Sequence, residues 1–316
     1  MPERPRVAVV IPTHERPALL RQLLRSLTEC PGESLGEVVV VDDSAAPTIR
    51  REDFPHLDLH VVHLAERSFI SHARNVGLGR VSSEYVFVVD DDNVCDATTL
   101  AHPLDLLAGD RRTTAVMPSV VYHRRPDLVW VYATPFRPDR WGFELVGRNR
   151  PRNPDWENRL LPTDALPNAA VFRMDALAAI GGYDERMPVS STADLCQRLK
   201  SAGGTVTADS FARTRHDVEP PGDVGFWAAH STDPARQYYD KHDWYIFQGR
   251  VHRGTAGFSA RALVRSAPFL ASSVVAFLLR SDARATSLTL AMGRGVLGGL
   301  RDARRENGRF GYSPSG

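Results

Sequence analysis

Residues 84–93, EYVFVVDDDN, constrain the fold more than any other stretch of this 316-residue chain. Tyr85, Val86, Phe87, Val88 and Val89 are β-branched or aromatic, and five apolar residues without alternation suit a strand buried on both faces of a parallel sheet. Asp90, Asp91 and Asp92 follow at once. Three adjacent like charges repel one another, so they need solvent or a shared cation. Asp90 and Asp92, on alternate residues, can aim at one hard divalent ion, and oxygen ligation suits Mg2+ or Mn2+, ions that accompany substrate phosphates. The competing reading is an acidic turn whose Asp caps a following helix.

Upstream, strand and helix signals alternate. Val7 to Ile11 is a short β-rich run closed by Pro12 and Thr13, and Leu19, Leu20, Leu23, Leu24 and Leu27 recur at helical spacing. Glu37 to Val41 predicts a second strand ending in Asp42, Asp43 and Ser44. Leu59 to Leu64 predicts a third, and Ser71 to Arg80 a helix. Such β-α-β units build a parallel sheet with right-handed crossovers, and ligands gather outside the carboxyl ends of its strands. Pro12–His14, Asp42–Asp43 and Asp90–Asp92 all fall at those ends, so three polar groups converge on one rim.

Composition narrows the class. A hydrophobic content of 42% supports a substantial core, and a formal net charge of +1 gives no global field for nucleic acid. Cys30, Cys95 and Cys196 are isolated, which argues against a disulfide framework or zinc cluster and for a reducing, cytoplasmic setting. The apolar run at 7–11 is too short for a secretory signal. Of 39 basic residues, 37 are Arg, the bias of a GC-rich bacterial genome of actinomycete type.

VAVVIPTHERPALLRQLLRSL, VVVVDDS, ARNVGL and EYVFVVDDDN, in this order over the first hundred residues, resemble the nucleotide-sugar-binding half of family 2 glycosyltransferases with the GT-A fold. The resemblance implies an α/β architecture, a Rossmann-like and mostly parallel sheet flanked by helices. It implies Pro12, Thr13, His14 and Glu15 beside the donor nucleotide, Asp43 on its base or ribose, Arg74 on base or diphosphate, and Asp90 and Asp91 on the donor. Asp90 and Asp92 match the outer residues of the D-x-D pattern, with Asp92 the direct ligand of Mn2+ or Mg2+. Arg74 and Asn75 read otherwise as helix-surface and capping residues.

The second half is less regular. Thr114–Tyr122 and Val129–Ala133 predict strands, and the Pro-, Arg- and Trp-rich stretch 135–162 predicts a long loop. Its Trp141 and Trp156 suit either a sugar face or anchorage of the loop. NAAVFRMDALAAIGGYDERMPVSSTADLCQRL resembles the family again, but where the family writes E-D-x-D-L this chain has Ser191, Thr192, Ala193, Asp194 and Leu195. Thr192 occupies the usual place of the catalytic base and cannot take a proton at neutral pH. Asp194 becomes the candidate base, although Ser191-x-x-Asp194 also reads as a capping box; Asp184 and Glu185 are the fallbacks. Thr205–Ala208 and Phe211–Thr214 predict two short strands leading to His216, which the resemblance makes the third metal ligand.

Residues 231–248 predict a helix closing the core. The expected division is therefore a GT-A domain over 1–250, with a nucleotide-sugar half (1–110) and an acceptor half (111–250), and a basic helical extension over 251–316. From residue 250 onward there are 11 Arg against Asp282, Asp302 and Glu306. The apolar piece 267–279 is too short to span a bilayer; it fits a helix packed on its own domain, on a second subunit in a homodimer, or on anionic lipid at the inner face of a membrane. No Q-x-x-R-W motif and no long hydrophobic spans mark a processive synthase. The expected activity is non-processive, metal-dependent, inverting transfer of a sugar from a nucleoside diphosphate to an acceptor with a free hydroxyl: a cell-envelope glycan, glycolipid or natural product. The alternatives are a non-catalytic nucleotide-sugar-binding relative, encouraged by Thr192, and a sugar-phosphate nucleotidyltransferase, disfavoured because the first strand runs into PTHER without a glycine-rich loop.

Overall fold

The computed structural model describes residues 6–30, 35–220, 233–252, 261–275 apart from 263, 269, 272 and 273, and 283–306. The chain forms two compact units, residues 1–183 with 192–222, and residues 184–191 with 223–316.

The first unit runs β1 (Val7–Thr13), α1 (Pro17–Glu29), β2 (Leu35–Asp42), β3 (Leu59–His63), α2 (Phe69–Leu78), β4 (Tyr85–Val89), β5 (Asn93–Cys95) and α3 (Ala101–Gly109). It continues with β6 (Thr113–Tyr122), β7 (Val129–Val131), β8 (Phe136–Arg137), β9 (Gly142–Phe143), β10 (Leu160–Pro162), β11 (Ala169–Arg173), α4 (Met174–Ala179), α5 (Thr192–Ser201) and β12 (Thr205–His216). The main sheet has the order β10-β12-β6-β11-β4-β1-β2-β3, with β5 on β12 and β7 on β6. β1 is parallel to β2 and β4, and β2 to β3. β11 runs antiparallel between β4 and β6, and β12 is parallel to β6.

The strand period decides which face each side chain covers. Val7, Val9 and Ile11 join one apolar layer with Leu20, Leu23, Leu24 and Leu27 of α1 and Leu104 and Leu107 of α3. Ala8 and Val10 join the opposite layer with Ala73 of α2 and Leu195 and Leu199 of α5. Gly77 sits where α2 presses on the sheet: a Cβ there would lie 2.4 Å from Val10 Cγ1, so only glycine permits this approach.

Three expectations change. Asp90–Asp92 cap no helix, because the chain turns into β5, which pairs with β12 through His216–Asn93. The two short runs near 205–214 form one strand, β12, with an irregularity between Asp209 and Arg213 that leaves the ladder continuous on both sides. The stretch 135–162 is not structureless: β8 and β9 form a hairpin, and β10 extends the sheet edge. Trp141 is buried and Trp156 meets Tyr132 edge-on at 5.9 Å, so both tryptophans anchor this stretch to the body of the unit.

The second unit contains α6 (Pro234–Val251) and α7 (Ala283–Glu306). α6 and α7 fall in the same unit. Small residues let the helices approach closely: a Cβ at Gly295 would meet the Tyr238 carbonyl oxygen at 2.2 Å, and one at Gly299 the His242 carbonyl oxygen at 2.5 Å. Within this unit Asp243 is fully buried and accepts the amides of Val189 and Ser190, each at 2.8 Å. No helix among the described residues is long and apolar enough to cross a membrane. The apolar piece 267–279 lies partly outside the described residues.

Candidate active site

Because β1, β2 and β4 are parallel neighbours, their carboxyl ends deliver 12–14, 42–43 and 90–92 to one rim. Pro12 lies beyond the last β1–β4 pair, Val10 with Val88, where β1 turns away from that ladder. Thr13 Oγ1 donates to Asp91 Oδ2 at 2.7 Å. His14 Nδ1 lies 2.9 Å from Asp43 Oδ1 and 3.1 Å from the Asp43 carbonyl oxygen; facing two acceptors, this nitrogen carries the proton. Asp43 Oδ2 accepts the amides of Ser68 at 2.7 Å and Phe69 at 3.1 Å. Asp43 thus ties β1 to the start of α2. Glu15 fastens the rim, its amide donating to Ser44 Oγ and its carboxylate accepting the Ala45 amide, both at 2.7 Å.

The three carboxylates of the acidic run divide their partners. Asp90 Oδ1 accepts from Arg74 Nη2 at 2.6 Å, and the Asp90 amide donates to Asn168 at 2.8 Å. Arg74 is buried, with its guanidinium 5.1 Å from the centre of the Tyr183 ring. Asn75, beside it, clamps the Tyr183 backbone, donating to its carbonyl at 2.8 Å and accepting its amide at 2.9 Å. Arg74 and Asn75 therefore have specific partners across the fold and are not surface residues. Asn168, in the left-handed region at φ 69°, holds a buried side-chain nitrogen without a partner.

Asp91 and Asp92 share a cation absent from the expected site set. Arg16 Nη1 stands 3.1 Å from Asp91 Oδ1 and 3.0 Å from Asp92 Oδ2. Burial pushes the Asp91 carboxyl up to about 6, against the pull of Arg16 and Thr13. Burial acts upward on Asp92 too, but His216 and then Arg16 bring that carboxyl below its ordinary value. His216 Nε2 is 3.3 Å from Asp92 Oδ1, and its Nδ1 is buried without a partner. The His216 ring meets Trp130 edge-on at 5.0 Å, with Arg148 4.3 Å over Trp130.

Thus β4 and β12 bring Asp92 and His216 together, while Asp90 turns to Arg74. Among the described residues no three His, Cys, Asp or Glu side chains form a ready metal cage. The Asp92–His216 pair nevertheless offers a carboxylate, a ligand that suits Mn2+ or Mg2+, beside an imidazole whose Nε2 faces it and whose Nδ1 is buried without a partner. Asp194 is placed differently. It is 2% exposed and accepts from Arg198 Nε at 2.7 Å, one turn along α5. Asp184, in the second unit, is paired with Arg186 at 2.6 Å and Arg250 at 2.7 Å. Glu185 adjoins it in the chain.

A profile of "Glycosyl transferase family 2" matches residues 8–180, more than half of the chain and all of the rim except His216. The chain belongs to glycosyl transferase family 2. Among curated members, it is 29% identical over 219 residues to the pre-mycofactocin glycosyltransferase of Mycobacterium tuberculosis, covering 67% of this chain and 42% of that protein. The chain thus spans about two fifths of the length of that relative. Among solved structures of this fold, the mannosyltransferase PcManGT from Pyrobaculum calidifontis, in complex with GDP-Man and Mn2+, is similar at TM-score 0.57 and 20% identity, with 95% of this chain and 88% of that chain covered. S. aureus TarS 1-349 in complex with UDP-GlcNAc is similar at TM-score 0.53 and 17% identity, with coverage of 96% and 88%. At these identities the likeness is one of fold, and it makes this family 2 member a GT-A protein.

Proposed function

We propose that the chain transfers a sugar from a nucleoside diphosphate donor to an acceptor hydroxyl, without processivity and with inversion at the anomeric carbon. The observation that carries this reading is the acidic run at the end of β4, met by side chains from three separate segments: the Arg16 and Arg74 guanidinium groups and the His216 imidazole. A rim that gathers carboxylates and guanidinium groups suits a ligand bringing both a metal and phosphates. Asp92 and His216 would hold Mn2+ or Mg2+, and the bound ion would supply Lewis-acid stabilisation of the departing diphosphate. Arg74, fixed by Asp90 and the Tyr183 ring, holds a buried positive charge toward the same end of the sheet and orients an anionic donor. The bound GDP-Man of PcManGT and UDP-GlcNAc of TarS support a nucleotide sugar as donor.

A second reading, a nucleotide-sugar-binding relative without transfer, is favoured by one observation. The position of the usual base is Thr192, and the nearest carboxylate on α5, Asp194, is buried against Arg198. Both readings are separated by one experiment: a thermal-shift panel of nucleotide sugars with and without Mn2+ on wild type and Asp92→Asn, followed by product analysis with the stabilising donor. Transfer or slow donor hydrolysis supports the enzyme. Binding with no turnover supports the second reading, and donor stabilisation that is the same in Asp92→Asn removes Asp92 from the metal site.

Exposed Val264, Val274, Val275 and Leu297 lie on the arginine-rich tail, which supports peripheral docking on anionic lipid. Sedimentation with anionic but not neutral vesicles, reversed by salt, is the expected result.

A further inference from the structure

The start of α2 holds a backbone conformation that its residue does not favour. Phe69 sits at φ 61°, in the left-handed region where glycine is the usual occupant. A bulky residue persists there only when its surroundings fix it, and such sites cluster at ligand clamps. The fixing group is Asp43, whose Oδ2 accepts both the Ser68 and Phe69 amides. The other oxygen of the same carboxylate holds the His14 ring. Two rings, one from the end of β1 and one from the start of α2, are thereby tethered to a single carboxylate at the rim.

Core packing does not account for the phenyl group. Phe69 is half-buried, and it belongs to neither of the two apolar layers of the sheet. Its ring is instead backed by the Arg67 guanidinium at 4.6 Å. An aromatic ring backed by a cation is a stacking surface for a planar, electron-rich group. We propose that Phe69, backed by Arg67 and anchored through Asp43, is a platform on which the base of the donor nucleotide stacks. The proposal rests on the donor-site reading above and adds the residue that senses the base as distinct from the diphosphate.

The test is titration calorimetry with UDP, GDP, ADP, CDP and dTDP, and separately with pyrophosphate, all with Mn2+, on wild type, Phe69→Leu and Phe69→Gly. Glycine suits φ 61°, so that variant is expected to fold, and leucine keeps apolar bulk without a π face. For whichever nucleoside diphosphate binds wild type, both variants should bind about tenfold more weakly, the scale of one base–aromatic stack, while pyrophosphate affinity stays unchanged. Unchanged nucleoside diphosphate affinity in both variants, or an equal loss for pyrophosphate, overturns the platform and leaves the donor site standing. Failure of wild type to bind any of the five nucleoside diphosphates overturns the donor-site reading and the platform with it.

Discussion

Arg16 Nη1 lies 3.0 Å from Asp92 Oδ2, and the arginine side chain is 42% exposed. A protein cation therefore stands where the proposed metal would need room on Asp92, on a side chain able to swing into solvent. On the proposed assignment, a divalent metal and Arg16 would compete for one carboxylate oxygen.

Arg16→Ala should accordingly tighten Mn2+ binding to the donor-free protein, by up to about fivefold, since an exposed ion pair is worth up to about 1 kcal/mol. Titration followed by the electron paramagnetic resonance signal of free Mn2+ reads this directly. Weaker Mn2+ binding in the variant would instead make Arg16 a support for Asp92.

For Asp194 the expected outcome is structural. Its burial against Arg198 predicts that Asp194→Asn lowers stability by about 2 kcal/mol, below the full cost of breaking a fully buried pair because Arg198 is partly exposed. Donor turnover should remain within a few-fold. A general base would show itself by a loss of about 10²–10⁴ in rate at an unchanged melting temperature.

Asp184 makes stability depend on pH in a defined direction. Burial would raise its carboxyl, but Arg186 and Arg250 hold it down to about 2. A carboxyl depressed on folding adds stability above its unfolded value near 4, and that stability is lost as pH falls toward 2. Asp184→Asn should therefore be less stable than wild type by about 2 kcal/mol at pH 7. The gap should narrow below pH 4 and close near pH 2 in denaturant melts across that range.

At Gly295 the usual helix rule should reverse. Alanine in place of glycine ordinarily favours a helix by about 1 kcal/mol, yet here the added methyl meets the Tyr238 carbonyl oxygen at 2.2 Å. Gly295→Ala should lower the melting temperature, with a cost of about 1–3 kcal/mol from overpacking between α6 and α7. A raised melting temperature would mean that the two helices separate more readily than their packing indicates.

What could be read in advance depended on how local the cause was. β1, β2, β4 and α1 are written in continuous or periodic apolar residues, so their types and near boundaries follow from the chain alone. β5 was missed because Asn93–Cys95 is held by a partner strand more than a hundred residues away and has no pattern of its own. Asp209–Arg213 interrupts β12 locally, and only the continuing pairing with β6 shows one strand. The rim residues Thr13, His14, Asp43 and Asp90–Asp92 were legible because strand ends converge, whereas Arg74, on α2, was reached only through the family resemblance. Arg16 was not, since a lone arginine between strand and helix carries no periodic signal. Asp194 with Arg198 did carry one: opposite charges four apart on a helix face pair readily.

β11 has a consequence for how the protein must be made. It runs against β4 on one side and β6 on the other, with Ala169 opposite Val89 and Val171 opposite Val116. Every motif of the donor half has left the ribosome long before the strand that covers β4 is synthesised. Until then Tyr85–Val89 is an open edge of unbroken apolar residues, the kind of template on which other chains add. A fragment of residues 1–110 would lack the strand that pairs with this edge of β4. A fragment ending before residue 169 should aggregate through that edge, and folding of the whole chain should wait on a long-range closure whose entropic cost grows with the logarithm of the loop it spans.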